Sequence, residues 1–157
     1  MIKRCTIEDV EMVNQIMRHP DIYPQSIDDG CSLDANTFDA RLALESAGMY
    51  FLGWRVDEAW AGLWMFKPWN STTFEIHTCI LPPYRGKAAI RAAKDAGHWM
   101  FENTECRKIV TLVPEDNRAA MLYALAGGME KEGLIKNSIL KDGDLLDQTI
   151  LGIGKGG

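Results

Sequence analysis

Residues 80–90 read Ile80-Leu81-Pro82-Pro83-Tyr84-Arg85-Gly86-Lys87-Ala88-Ala89-Ile90, and here an apolar strand turns abruptly into a helix through a basic corner of small residues. Pro82 and Pro83 have no N–H to give to a ladder, so the strand must end there. A helix that begins near Gly86 leaves its first backbone N–H groups without partners. Those donors, the positive end of the helix dipole, Arg85 and Lys87 all favour negative charge at one spot, which makes the corner a candidate anion site.

Upstream of the corner, residues 72–81 alternate as a strand does. Phe74, Ile76, Thr78 and Ile80 fall on one face, and Glu75, His77, Cys79 and Leu81 on the other. Before them, residues 49–56 and 59–66 are aromatic-rich apolar runs joined by Asp57-Glu58, the pattern of a β-hairpin, and Pro68-Trp69-Asn70-Ser71 supplies the next turn. The chain opens with a short strand over residues 1–5. Thr6 and Asp9 then form a capping box for a helix carrying Val10, Val13, Ile16 and Met17, which stops before His19-Pro20. Residues 21–32, rich in Pro, Asp, Gly and Ser, read as a surface loop, and residues 33–46 as a second helix with Phe38, Leu42 and Leu44 on its apolar face.

Downstream, residues 86–101 form a helix with Ile90, Ala93, Gly97, Met100 and Phe101 as its sheet-facing stripe. A strand follows over residues 108–113, then a helix over 117–126 stopped by Gly127-Gly128, then strands near 129–135 and 145–153. The order is β-α-α-β-β-β-α-β-α-β-β. Residues 1–153 read as one domain, and Gly154-Lys155-Gly156-Gly157 as a flexible, frayed tail.

The corner and this order together resemble the GNAT superfamily of N-acetyltransferases, as a divergent member. The family's pyrophosphate-binding segment is often written R-G-x-G-x-G/A; Arg85 and Gly86 match it, while Ala88 stands at the middle glycine and Ile90 at the last small position. The family's next segment, N-x-x-A-x-x-L-Y-x-K-x-G-F, is matched by Asn117, Ala120, Gly128 and the apolar Met129, with Ala124 at the usual tyrosine and Tyr123 one residue earlier. The resemblance implies an α/β (α+β) fold, a GNAT-like mixed, mostly antiparallel central sheet of about seven strands flanked by about four helices. It implies acetyl-CoA as co-substrate, without a metal, and transfer of acetyl to a primary amine by direct attack.

On the same basis Arg85, Gly86, Lys87, Ala88, Ala89 and Ile90 are expected to hold pyrophosphate, chiefly through backbone N–H groups. Ile80 and Leu81 are expected to offer strand amide and carbonyl groups to pantetheine, and Asn117 to line the same slot as the N-cap of its helix. An ammonium acceptor must lose a proton before it attacks, and Glu75 and His77 share one face of the strand leading into the corner, so they are the candidate bases. Burial beside aromatic residues would raise the pKa of Glu75 toward working pH. Tyr123 or a water is the candidate acid, although at its register Tyr123 is turned about 100° from the family position, toward the sheet. Relatives receive the acceptor near Tyr23, Asp28 and Asp29, a run that reads here as solvated surface.

A 157-residue chain is long enough to bury a core without disulfides or metals. Its net charge of −5 argues against a broad nucleic-acid surface. The four cysteines, Cys5, Cys31, Cys79 and Cys106, form no CxxC pair and read as reduced thiols of a cytoplasmic protein. His77 and Cys79 are spaced to share a metal, but no third ligand accompanies them. No run approaches membrane-spanning length. Trp54, Trp60, Trp64 and Trp69 crowd the hairpin, as core or as an exposed surface for a second copy or an assembly partner. Two alternatives stand beside the acetyltransferase reading: a catalytically silent member of the fold used in assembly, such as that of a phage head, and a small phosphate-binding module.

Overall fold

In the computed structural model, which describes residues 1–157, the aromatic runs pair as an antiparallel hairpin of β2 (Tyr50–Val56) and β3 (Ala59–Pro68), turning at Asp57 with φ 54°. β1 (Ile2–Arg4) adds to the outer edge of β2, and β4 (Thr73–Ile80) returns antiparallel along β3. The remaining strands are β5 (Lys108–Pro114), β6 (Glu130–Lys141) and β7 (Asp144–Gly154), giving a seven-stranded sheet in the order β1-β2-β3-β4-β5-β7-β6. Every adjacent pair is antiparallel except β4–β5. With four helices, α1 (Val10–Met17), α2 (Arg41–Glu45), α3 (Lys87–Asn103) and α4 (Arg118–Ala126), this is the architecture that the resemblance implied.

Strand alternation divides the core between two faces. Trp54, Trp64, Phe66 and Phe74 meet Ala89, Ala92, Ala96, Met100 and Phe101 of α3 on one face. Phe51, Leu63 and Cys79 meet Val13, Ile16 and Met17 of α1 on the other. Alanines along α3 bring its axis close to the sheet, and each large aromatic it covers contributes about 1.5–3 kcal/mol of transfer free energy.

Three expectations are corrected. The helix over residues 33–46 shrinks to the five residues of α2, because local side-chain bonds favour turns over helix. Asp34 accepts from the Asn36 N–H at 3.0 Å and Asp39 from the Arg41 N–H at 3.0 Å, while Nε of Arg18, the C-cap of α1, donates to the Phe38 carbonyl at 2.8 Å. On α3 Met100 and Phe101 are buried as expected, but the rest of the stripe is Ala89, Ala92 and Ala96, one residue before the expected Ile90, Ala93 and Gly97, which turns Ala93 and Gly97 toward an open cleft. β6 runs on to Lys141 through two bulges; it is exposed on both faces for most of its length, so no alternation marks it. In the tail, Lys155 N–H is bonded to the Arg107 carbonyl at 2.9 Å and Gly157 N–H to that of Gly154 at 3.0 Å.

The hairpin tryptophans form no exposed aromatic patch. Trp54 and Trp64 are core residues, Trp60 lies under the cations of Arg55 and Lys3, and Trp69 is the one largely exposed. Cys5, Cys79 and Cys106 are buried free thiols, and Cys31 is exposed.

Candidate active site

β4 and β5 are paired over three residues only, Thr73, Phe74 and Glu75 against Lys108, Ile109 and Val110. Beyond that point each strand keeps its other neighbour, β4 with β3 and β5 with β7, and the two diverge into a wedge. Thr111 Oγ1 reaches across the apex toward the Ile76 carbonyl at 3.4 Å. The Leu81 N–H bonds to the Ala61 carbonyl at 2.9 Å, so by alternation the backbone groups of Ile76, Thr78 and Ile80 face away from β3 and into the wedge. A segment of chain edge is thereby left open to an extended ligand with amide groups of its own.

The wedge opens into a cleft of about 1550 Å³ that continues to the start of α3 and along the α3–α4 groove. Gly86 is the N-cap of α3, with φ 124° and ψ −152°, a backbone region that is essentially glycine's alone. The Ile90 N–H is bonded to the Gly86 carbonyl at 3.1 Å, and the N–H groups of Lys87, Ala88 and Ala89 precede the first helical bond. Of the expected cradle residues, Arg85, Gly86 and Ala89 line the cleft. Lys87 and Ala88 are exposed in the first turn, and Ile90 is half-buried on the flank.

The Arg85 guanidinium does a different task from the expected one. Its Nε donates to the Ile80 carbonyl at 3.1 Å and its Nη2 to the Asp21 carbonyl at 3.2 Å, so it ties the strand end to the segment after α1. Its backbone N–H is bonded to Pro82 at 3.3 Å. Of the two strand residues assigned to pantetheine, Ile80 lies in the cleft with its carbonyl taken by Arg85, and Leu81 lines a separate hollow beside α1. Asn117 caps α4, its Oδ1 accepting from the Ala120 N–H at 3.1 Å, and lines the cleft.

Glu75 and His77 are together, as strand alternation requires. His77 Nε2 stands 3.0 Å from Glu75 Oε2, and Trp69 Nε1 donates to Glu75 Oε1 at 2.9 Å. The pKa of Glu75 moves opposite to the expectation: the His77 imidazole, and then the Trp69 indole, hold it below its ordinary 4.5 against the opposing effect of burial. Glu75 is therefore an ionised acceptor at neutral pH. His77 faces the cleft.

Tyr123 donates its hydroxyl to the Ala89 carbonyl at 3.1 Å, pinning α4 to α3, and burial pushes its pKa up to about 12. That proton is committed to structure. Ala124, at the usual tyrosine position, is buried against Val113 and Leu151. Asp29, in the loop after α1, accepts from the Asp142 and Gly143 N–H groups at 2.8 Å each, and the Tyr23 hydroxyl donates to the Ser32 carbonyl at 2.7 Å. Both are thus spent on the loop and on the β6–β7 tip. Sequence reading missed Trp69, Thr78 and Thr111. Trp69 reads as a turn residue and Thr78 as one member of an apolar face; the spacing between Glu75, His77 and the turn was the one available signal.

Known structures superpose along nearly the whole chain. The spermidine N-acetyltransferase of Vibrio cholerae, in complex with CoA and spermine, matches with a TM-score of 0.80 at 16% identity, covering 99% of this chain and 95% of that one. The ribosomal-protein-alanine N-acetyltransferase of Brucella melitensis matches at 0.76 and 16% identity, covering 98% and 99%. The fold is that of the GNAT acetyltransferases. By sequence, 81 residues are 26% identical to protein p31 of Acyrthosiphon pisum secondary endosymbiont phage 1, covering 52% of each chain, so the match spans about half the length of that curated relative. Residues 35–156 fit the model of the family described as protein of unknown function DUF2824, and the chain belongs to that family.

Proposed function

We propose that the protein is an acetyl-CoA-dependent N-acetyltransferase acting on a primary amine. The observation that carries this reading is the divergence of β4 from β5 after Glu75 and Val110, which opens free strand backbone toward the unpaired N–H groups at the start of α3. From Ile80 to the apex at Ile76 the β4 edge runs about 13 Å at roughly 3.3 Å per residue, with the Ile80 N–H and both backbone groups of Thr78 free along it, a path for an extended arm from a phosphate site to a reaction point. The donor set fits a pyrophosphate-bearing thioester, with neutral backbone donors at the corner and alternating amide and carbonyl groups along β4.

Acetyl-CoA supplies an acyl group activated by a thiolate leaving group. The protein's part is to hold amine and thioester in one place and to take a proton from the amine. Lys87, Ala88 and Ala89 bind pyrophosphate through their N–H groups, with the Lys87 charge beside them. Thr78 and the Ile80 N–H orient the pantetheine, and Asn117 shapes the far wall. The Glu75–His77 pair takes the proton, and water protonates the thiolate, since the Tyr123 hydroxyl is bonded elsewhere.

The acceptor approaches from the segment after α1, where Ile22, Pro24, Gln25 and Ser26 line the cleft. Spermidine and an alanine-initiated peptide, taken from the names of the structural relatives, are the first acceptors to try. No helix is long and apolar enough to cross a membrane, and a cytoplasmic site of action, where acetyl-CoA is made, completes the proposal. Kinship with p31 supports a phage origin.

Calorimetric titration with CoA tests the reading. A saturable isotherm with micromolar affinity, followed by acetyl transfer to one of these amines, is expected. Absence of binding by folded protein at millimolar CoA would overturn it.

A further inference from the structure

We infer that His77, through Nδ1, is the proton acceptor of the acetyl transfer, and that Glu75 and Trp69 act through it as positioning residues; the inference rests on the acetyltransferase reading above. The geometry begins at Glu75, whose side chain is only 14% exposed and whose two oxygens are both engaged, Oε1 by the Trp69 indole N–H at 2.9 Å and Oε2 by His77 Nε2 at 3.0 Å. Glu75 does not line the cleft, whereas His77 does, so the imidazole is the member of the pair that a substrate meets.

The same contact decides the tautomer of His77. Two lone pairs do not rest 3.0 Å apart, so Nε2 carries the proton that faces Oε2, and the neutral ring's lone pair is on Nδ1. Nδ1 has no partner in the structure. The His77 side chain is 41% exposed and lines the cleft two residues past the last β4–β5 pair, across from Ile22 and Ser26. The base therefore stands near the apex of the wedge, where an arm laid along β4 from the Gly86 corner comes to its end.

Trp69 sits in the turn that joins β3 to β4, its own N–H bonded to the Thr73 carbonyl at 2.9 Å. That anchor fixes the indole, the indole fixes Glu75, and Glu75 fixes the imidazole plane. Lys67 faces Glu75 from β3 and Met65 faces His77, while Asp21 and Arg85 stand on the cleft wall, with the Arg85 guanidinium bonded to backbone carbonyls.

In the reaction an ammonium acceptor gives one proton to Nδ1, and the resulting imidazolium is held by the Glu75 charge. The freed nitrogen lone pair forms the C–N bond to the acetyl carbonyl carbon, the C–S bond breaks, and the thiolate leaves with the bonding pair. The thiolate takes a proton from water, the nitrogen sheds its second proton, and the imidazolium returns its own to solvent. One proton is released per acetyl group transferred at neutral pH.

Two measurements on the full chain test this. Long-range ¹H–¹⁵N spectra of ¹⁵N-histidine protein, with the His77 signals assigned from His77→Gln, should show the Nε2–H tautomer in wild type and a mixture of tautomers in Glu75→Gln. An Nδ1–H tautomer in wild type, or a tautomer that Glu75→Gln leaves unchanged, would overturn the positioning. Kinetically, His77→Gln should lower kcat by about 100-fold, the low end for loss of a general base, with KM for acetyl-CoA changed by less than about twofold. Glu75→Gln should lower kcat roughly tenfold with little change in KM for acetyl-CoA, Glu75→Asp should recover part of the loss, and Trp69→Phe should fall between Glu75→Gln and wild type. If wild type turns over and His77→Gln keeps its kcat, the inference fails while the acetyltransferase reading stands. If wild type binds no CoA, both fail.

Discussion

At Gly86 the backbone takes φ 124° and ψ −152°, and a Cβ placed there meets nothing within 4 Å. Space is thus no obstacle to a side chain, but conformation is. Gly86→Ala should cost about 1–3 kcal/mol in chemical denaturation and weaken CoA in calorimetry, because relaxing the strain swings the first N–H groups of α3 away from the cleft. Tyr123→Phe should behave as loss of a structural hydrogen bond, with about 1 kcal/mol less stability and kcat within about fivefold of wild type. Glu75 carries a pH signature. A carboxylate whose folded pKa lies below its unfolded one stabilises the fold above the unfolded value, and that contribution is lost as pH falls through the folded value. Denaturation of wild type and Glu75→Gln should therefore differ most near neutrality, in favour of wild type, and converge as pH drops below the ordinary 4.5.

The β6–β7 hairpin and the loop after α1 meet through Asp29, 113 residues from Asp142 and 114 from Gly143. Its carboxylate caps a turn in which Asp142 and Gly143 both have positive φ, 51° and 83°, and its own N–H bonds to the Leu140 carbonyl at 3.0 Å. Asp29→Ala should raise amide exchange at Asp142 and Gly143 roughly tenfold, about 1.4 kcal/mol of local opening, with little change in β2–β4. This pairing was illegible in the chain, where Asp28-Asp29 reads as solvated charge. Other elements show what periodicity can and cannot carry. The hairpin of β2 and β3 was readable because both strands are buried on both faces and so run almost continuously apolar about a polar turn. The five residues of α2 were not, since Asn14 of α1 and Arg18 at its C-cap hold the backbone of Ala40 and Phe38 from outside the segment.

For the molecule as a whole, a ligand seated between β4 and β5 bridges the two halves of the sheet, which are joined there by only three residue pairs. CoA at 100 times its Kd should stabilise the fold by about 2.7 kcal/mol, a rise in Tm of roughly 5–11 °C at about 2–4 °C per kcal/mol for a chain of this size, measured by calorimetric scanning. Local chemistry alone settled where β4 ends, that Gly86 opens a helix, and that Glu75 and His77 share a face, because proline, glycine and strand alternation act within a few residues. The wedge, the engagement of Arg85 with Ile80 and Asp21, the Tyr123 bond to Ala89 and the low pKa of Glu75 came from folding, because each depends on groups brought together from distant positions or from a turn whose course the neighbouring strands set. A residue type states which bonds a side chain can make; which one it does make depends on the partners the fold delivers.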